Sequence, residues 1–333
     1  MVVVTGRCRT VLLAPVFAAA FTACGAPPGG PQVWFAPNLG SPDMIELFTR
    51  PQLWPGARRT VAAFKFYERA LLADRPAECP ECGRNIFPEL ARVDAFNRLN
   101  SWGIAIGIDV DAVKHWGCTA ASTLPSAMDA VERVETRHAV VTYLSMDEPL
   151  LGGRDCDLEL GEAAIHAASF ARQARAAHPA LRVGDIEPYP VFPVPTLLAW
   201  LTALRANGYT PAFFHLDVDR AHAARIGADV AGDLRTLRGA VEAQGIPFGV
   251  IFWSDVGTSD ADYAADVLAW VGTVRAAIAE PTHSIFQSWV VSPDGSLRVP
   301  ANLPEADAAV PTHTRLIDDG LSALRSAPPP GPR

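Results

Sequence analysis

Two adjacent carboxylates, Asp147 and Glu148, follow an apolar β-type run in the segment Y-L-S-M-D-E-P and are followed at once by Pro149. A carboxyl group donates a proton when its surroundings keep it protonated, and acts as a base or nucleophile when it is ionised. Neighbouring side chains on a strand point to opposite faces, so these two are not expected to form a catalytic pair with each other. The second carboxylate must come from another element.

The elements that position these groups are predicted from an alternation of short β-branched or aromatic runs with longer segments of helical periodicity. Eight strands are predicted at residues 33–36, 61–67, 104–110, 140–146, 182–186, 212–218, 248–253 and 284–291, and the clearest helices at 163–177, 196–207, 229–244, 260–279 and 313–325. This alternation predicts a single α/β domain, a (β/α)8 TIM barrel over residues 32–325. An open doubly wound sheet is disfavoured because no G-x-G-x-x-G follows the first strand.

In such a barrel the chemistry lies at the C-terminal ends of the strands, where this sequence gathers acidic and aromatic residues and almost no lysine. The candidate sources of the second carboxylate are Asp255 after strand seven, Glu187 on strand five, and the pair Asp217 and Asp219 after strand six. The residues predicted to bind a substrate by hydrogen bonding or ring stacking are Asp147, Asp109, Asp111, Tyr189, His215, Asp217, Trp253 and Trp289.

The region 32–325 resembles the (β/α)8 glycoside hydrolases, in whose largest clan strand four ends in Asn-Glu-Pro. Glu148 and Pro149 match this motif, with Asp147 in the asparagine position, and Trp289 matches the tryptophan typical after strand eight. The resemblance implies a glycosidase that cleaves O-glycosidic bonds in a carbohydrate without a cofactor, with Glu148 as the acid/base. Asp255 stands where the clan has its nucleophilic glutamate. The alternative is a degenerate barrel that binds glycan without cleaving it.

Other classes are disfavoured by the residues. A formal net charge of −8 argues against nucleic acid as a partner. The sequence has no G-x-S-x-G, P-loop, H-x-x-x-H or H-E-x-x-H motif, which disfavours an esterase of the α/β-hydrolase type, a nucleotide hydrolase and a histidine metal site. A metal-dependent barrel hydrolase is the remaining enzymatic alternative. No metal and a monomeric state are expected.

The N-terminus predicts export. Arg7 and Arg9 precede an apolar run at residues 11–21, and F-T-A-C-G ends at residue 25. This is typical of a signal peptide over residues 1–24 with a lipobox-like site, at which Cys24 would be lipidated. Residues 25–31 form a Pro/Gly linker, and residues 326–333 a Pro-rich tail. The protein is therefore expected on the outer face of a bacterial membrane, held through the lipid alone, or secreted if cleavage is ordinary.

Four cysteines remain after Cys8 and Cys24 are set aside. In an exported protein an even number favours two disulfides, and the simplest pairing is Cys79–Cys82 with Cys118–Cys156. A four-cysteine zinc site is the alternative.

Overall fold

In the computed structural model the described residues are 30–72, 85–292, 295, 298–306 and 309–326. Their strands form one closed parallel barrel in which each strand pairs with the next along the chain and β8 pairs with β1. The predicted (β/α)8 barrel is confirmed. The strands are β1 Gln32–Ala36, β2 Val61–Tyr67, β3 Ala105–Val110, β4 Val141–Asp147, β5 Arg182–Tyr189, β6 Phe214–Val218, β7 Phe248–Phe252 and β8 His283–Gln287.

Helices surround the barrel. They are α1 Glu46–Thr49, α2 Pro55–Thr60, α3 Glu68–Leu71, α4 Phe87–Arg92, α5 Ala95–Ser101, α6 Ala120–Glu135, α7 Pro149–Asp155, α8 Leu160–Ala177, α9 Val194–Ala206, α10 Arg220–Ile226, α11 Val230–Glu242, α12 Asp260–Ile278 and α13 His313–Arg325. The five helices predicted from periodicity correspond to α8, α9, α11, α12 and α13. Between β1 and β2, where the sequence marks no clear helix, the chain forms α1, a 3-10 turn at Pro51–Leu53 and the short α2.

The interior of the barrel is filled by side chains. A compact inner cluster comes from alternate positions of six strands and the residue before β6: Trp34, Ala63, Tyr143, Ile186, Phe213, Ile251 and Ile285. Gly184 makes room for one of these rings, because a Cβ there would lie 2.2 Å from the Phe213 ring. The inner cluster shows which residues of each strand face the barrel axis, since alternate residues share a face.

Within the described ranges, none of the helices is both long enough and apolar enough to span a membrane.

Candidate active site at the barrel mouth

The C-terminal strand ends bring a set of polar side chains to the mouth of the barrel. Counting in steps of two from the inner cluster, Tyr143 leads to Asp147 on β4, and Ile251 leads to Trp253 just after β7. The same count brings Lys65, Asp109, Asp217 and Gln287 inward on their strands. The mouth is therefore lined by groups of both charges and by an indole ring.

Lys65 forms the floor of this mouth. Its side chain is fully buried, with Nζ 2.8 Å from Asp109 Oδ2, and it donates to Gln287 Oε1 at 2.9 Å. Gln287 Nε2 in turn donates to the Tyr67 hydroxyl at 2.8 Å. Burial raises the pKa of Asp109, and the Lys65 charge opposes this rise. The floor is thus a connected polar network rather than an open cavity.

His215 lies deeper in the barrel, two residues before Asp217 on β6. It is fully buried and shares a hydrogen bond of 2.9 Å with His283, with the Trp34 ring 4.9 Å away. Burial lowers the pKa of His215, and it lowers that of His283 to about 3. Both rings are therefore neutral core groups beneath the mouth, against the prediction that His215 contacts a substrate.

Lys114 reaches the mouth from the loop after β3. Its Nζ lies 3.0 Å from Asp147 Oδ2 and 3.8 Å from Glu148 Oε2. Burial alone would lower the pKa of Lys114, but the charges of Asp147 and Glu148 outweigh it, so the pKa is raised. Lys114 is therefore an ammonium ion held against the D-E-P segment.

Glu148 is held in an unusual backbone conformation. Its φ of +52° and ψ of +51° lie in the left-handed region, which costs a non-glycine residue about 1–2 kcal/mol. Burial, then the charge of Asp147, raises the pKa of Glu148 to about 8, and Lys114 opposes that rise. Strain of this kind is concentrated at functional sites. A carboxyl group with such a pKa is protonated at neutral pH and can serve as an acid.

Asp217 and Trp253 form the opposite wall. Trp253 Nε1 donates to Asp217 Oδ1 at 2.5 Å, and the Trp253 and Trp289 rings lie 4.6 Å apart. Burial raises the pKa of Asp217 to about 7, although the hydrogen bond from Trp253 lowers it. The structure therefore brings Asp147, Asp217, Trp253 and Trp289 to the same end of the barrel, with Asp217 able to exchange a proton near neutral pH.

Asp111 lies at the rim. Arg69 Nη2 is 3.2 Å from Asp111 Oδ2, Trp116 Nε1 donates to the same oxygen at 3.1 Å, and the Arg69 guanidinium stacks on the Trp116 ring at 3.9 Å. Burial raises the pKa of Asp111, and Arg69 opposes this. Asp111 is therefore engaged in a rim cluster with Arg69 and Trp116.

Besides His215, three predicted site residues do not join the mouth. Glu187 follows the inward Ile186 and is fully buried on the outer side of β5, where Oε1 accepts the Leu150 N–H at 2.8 Å. Tyr189 shares that outer side and hydrogen-bonds Asp233. Asp255 is exposed on the loop beyond β7, two residues after the inward Trp253. Glu187 and Tyr189 face the helix layer because they alternate with the inward positions of β5.

Cys118 and Cys156 form a disulfide, with a Cα–Cα distance of 5.8 Å, which confirms that predicted pairing and removes the zinc alternative for these two cysteines. Cys79 and Cys82 lie outside the described residues. The disulfide joins the loop that carries Lys114 to the end of α7, the helix that begins directly after Glu148. Within the described part of the chain, no cluster of three or more His, Cys, Asp or Glu side chains is arranged to hold a metal ion.

Lys65 and Lys114, which form ion pairs with the carboxylates at the mouth, were not among the predicted site residues. They are the only two lysines among the 28 lysine and arginine residues of the chain, and both lie among carboxylates at the same end of the barrel, Lys65 buried and Lys114 largely so. The rarity of lysine was a signal visible in the sequence. What it could not indicate is the long-range contact of Lys114 with Asp147, because Lys114 lies on a loop.

The sequence matches no protein-family model, and no curated protein matches it. Solved structures of similar fold include Haloferax volcanii malate synthase in a lead(II) complex, with 10% identity and a TM-score of 0.50 over 93% of this chain and 76% of that one. Bacillus subtilis HMG-CoA lyase is 13% identical, with a TM-score of 0.47 over 89% of this chain and 92% of that one. 2,3-Dimethylmalate lyase, of the PEP mutase/isocitrate lyase superfamily, is 12% identical, with a TM-score of 0.43 over 78% of this chain and 74% of that one.

The resemblance to glycoside hydrolases is corrected by these findings. The neighbour with a TM-score of 0.50 is a malate synthase and not a glycoside hydrolase, so the prediction of a glycosidase, or of its degenerate glycan-binding form, is wrong. The site agrees with this correction, because strand seven ends inward in Trp253 and Glu187 faces outward. At these identities the likeness extends to the barrel fold alone.

Proposed function

We propose that this barrel is an enzyme that makes or breaks a carbon–carbon bond next to a carbonyl group, with proton transfer at the mouth. The observation that supports this best is the position of the two lysines of the chain, Lys65 and Lys114, each ion-paired with a carboxylate at the mouth. All the other residues among the 28 lysines and arginines of the chain are arginines. Because a lysine ammonium is a compact charge that can also exchange a proton, it is not interchangeable with arginine at a reacting centre.

The groups at the mouth suit the charges that such a reaction develops. Breaking a carbon–carbon bond beside a carbonyl group leaves an enolate whose negative charge lies on oxygen, and the Lys114 ammonium can stabilise that charge. Glu148, with its pKa raised to about 8, holds a proton for the carbon or oxygen that receives it. Asp217, with its pKa raised to about 7, can take up the proton released on the other side.

The apolar part of a substrate has a matching surface. The paired rings of Trp253 and Trp289 lie beside Asp217 and offer a wall on which carbon atoms can pack. Lyases, an aldolase and a malate synthase are among the solved structures of similar fold by name, and this guides only the choice of compounds to test first.

The test is cleavage of a panel of 2-hydroxy dicarboxylates, 4-hydroxy-2-oxo acids and 3-hydroxyacyl thioesters, followed by detection of the carbonyl product. We expect cleavage of at least one class, with kcat reduced about 100-fold or more in Lys114→Met. Lys114→Arg should be impaired as well, since its guanidinium is larger and planar. The control is Arg133→Lys, which exchanges the two basic types in an exposed helical ion pair with Asp129 and should leave activity unchanged. Full activity in Lys114→Met, or no cleavage of any compound, would overturn the proposal.

A further inference from the structure

Glu187 occupies a position that the reaction chemistry does not explain. Its carboxyl group is fully buried behind β4 and β5, on the side away from the barrel axis. Oε1 accepts the Leu150 N–H at 2.8 Å, whereas Oε2 has no hydrogen-bond partner among the residues the structure describes. A buried carboxyl group with one unpartnered oxygen destabilises a fold, so packing alone does not account for its presence.

The contact that Glu187 makes is close to the strained residue. Leu150 is two residues after Glu148 and lies in the first turn of α7. Glu148 itself donates its N–H to Ile186 O at 3.0 Å, and its carbonyl accepts the Gly152 N–H at 2.9 Å. A non-glycine residue stays in the left-handed region only where its surroundings hold it there. Glu187 and its neighbour Ile186 supply two of these contacts, one on each side of Glu148.

We propose that Glu187 is a positioning residue for Glu148: through the Leu150 N–H it holds the turn that keeps the half-buried Glu148 carboxyl beside Lys114. This role rests on the proposed function only in taking Glu148 as the acid. Glu187 acts through the backbone of α7 and does not touch the substrate. Burial is the largest cause of the raised pKa of Glu148, so release of the turn should lower that pKa.

Asp185 provides a matched control on the same strand and the same outer side. It is also fully buried, its Oδ2 accepts the Trp200 N–H at 2.8 Å, and its Oδ1 has no partner within the described ranges. Burial raises its pKa too, as it does for Glu187. Asp185 bonds to a side chain of α9 and not to the turn at Glu148. Its replacement therefore shows how much the loss of a buried carboxyl group on β5 alters Glu148 when the turn is not released.

The experiment follows the titration of Glu148 by carbon-13 NMR of labelled glutamate carboxyl groups, with the Glu148 signal identified by its loss in Glu148→Gln. Glu187→Ala and Glu187→Met, which offer no acceptor, should lower the midpoint from about 8 by about one unit or more. Glu187→Gln, which keeps an acceptor oxygen for the Leu150 N–H, should restore it. Asp185→Asn and Asp185→Ala should leave it unchanged.

Two results would overturn the positioning role: an unchanged midpoint in both Glu187→Ala and Glu187→Met, or an equal shift in Asp185→Ala. If Glu187→Ala does not fold, Glu187→Met alone decides, because it retains the buried volume. The readout needs no substrate. A panel of carbonyl compounds that the enzyme leaves uncleaved would therefore count against the proposed function while the titration still tests Glu187.

Discussion

Replacement of Lys114 by methionine should raise the pKa of Glu148. The Lys114 ammonium lies 3.8 Å from Glu148 Oε2 and favours the ionised carboxylate. At that separation the attraction is about 1 kcal/mol with the dielectric constant of water and about 4 kcal/mol with an effective constant of about 20. Since about 1.4 kcal/mol corresponds to one pKa unit, the midpoint should rise from about 8 by about one to three units. The Lys114 ammonium also neutralises the charge of Asp147. Without it, repulsion by Asp147 would raise the pKa of Glu148 further.

The assay is the carbon-13 titration of Glu148 in Lys114→Met and Lys114→Arg. The arginine variant keeps the positive charge and should hold the midpoint near the wild-type value, which separates the effect of charge from that of the lost side chain. Circular dichroism of both variants checks that the barrel is intact. A midpoint that stays in place or falls in Lys114→Met would refute the ion pair as the control on Glu148.

Three further predictions concern the fold around the D-E-P segment. The double variant Cys118→Ser/Cys156→Ser should lose about 4 kcal/mol of unfolding free energy in urea, because the bond closes a loop with a sequence separation of 38 residues; a loss below about 1 kcal/mol would contradict this. Gly152→Ala should lower Tm, since the new Cβ would lie 1.8 Å from a backbone carbonyl oxygen, while Gly161→Ala, with open space at that position, should not; equal Tm values would count against it. The raised pKa of Glu148 should contribute a fall in unfolding free energy of up to about 1.4 kcal/mol per pH unit as the pH rises from 4.5 to about 8, because the folded state holds this proton longer than the unfolded chain. Glu148→Gln should therefore make the fall shallower than in the wild type; an equally steep fall would be inconsistent with the raised pKa.

The barrel was predictable from the sequence because its signals are local. The β-branched and aromatic residues of β7 and the helical periodicity of α9 each appear within a short stretch of sequence, and the eightfold alternation of such strands and helices leaves few topologies. It was harder to predict which strand residues point toward the barrel axis and which point toward the helices. On β5, the apolar Ile186 points toward the barrel axis. The charged Glu187 points into the buried layer between the barrel and the helices.

The composition of the site depended on contacts between distant segments. The Cys118–Cys156 disulfide, which was predicted, ties the loop of Lys114 to α7, but the contact of Lys114 with Asp147 does not follow from any local pattern. The sequence singled out the D-E-P segment for its carboxylates, and the structure adds the left-handed backbone conformation of Glu148. The resemblance to glycosidases arose from a short motif that also fits a strand end in another kind of barrel enzyme.

The proposed function requires that Glu148 transfer a proton at a carbon atom next to a carbonyl group. Its most direct test is the incorporation of deuterium from D2O into the C3 position of 2-oxo acids, followed by proton NMR near neutral pH with wild-type protein and Glu148→Gln. We expect exchange above the solvent rate with the wild type and a reduction of about 100-fold or more in the variant. Exchange at the wild-type rate in Glu148→Gln, or none with the wild type, would contradict it.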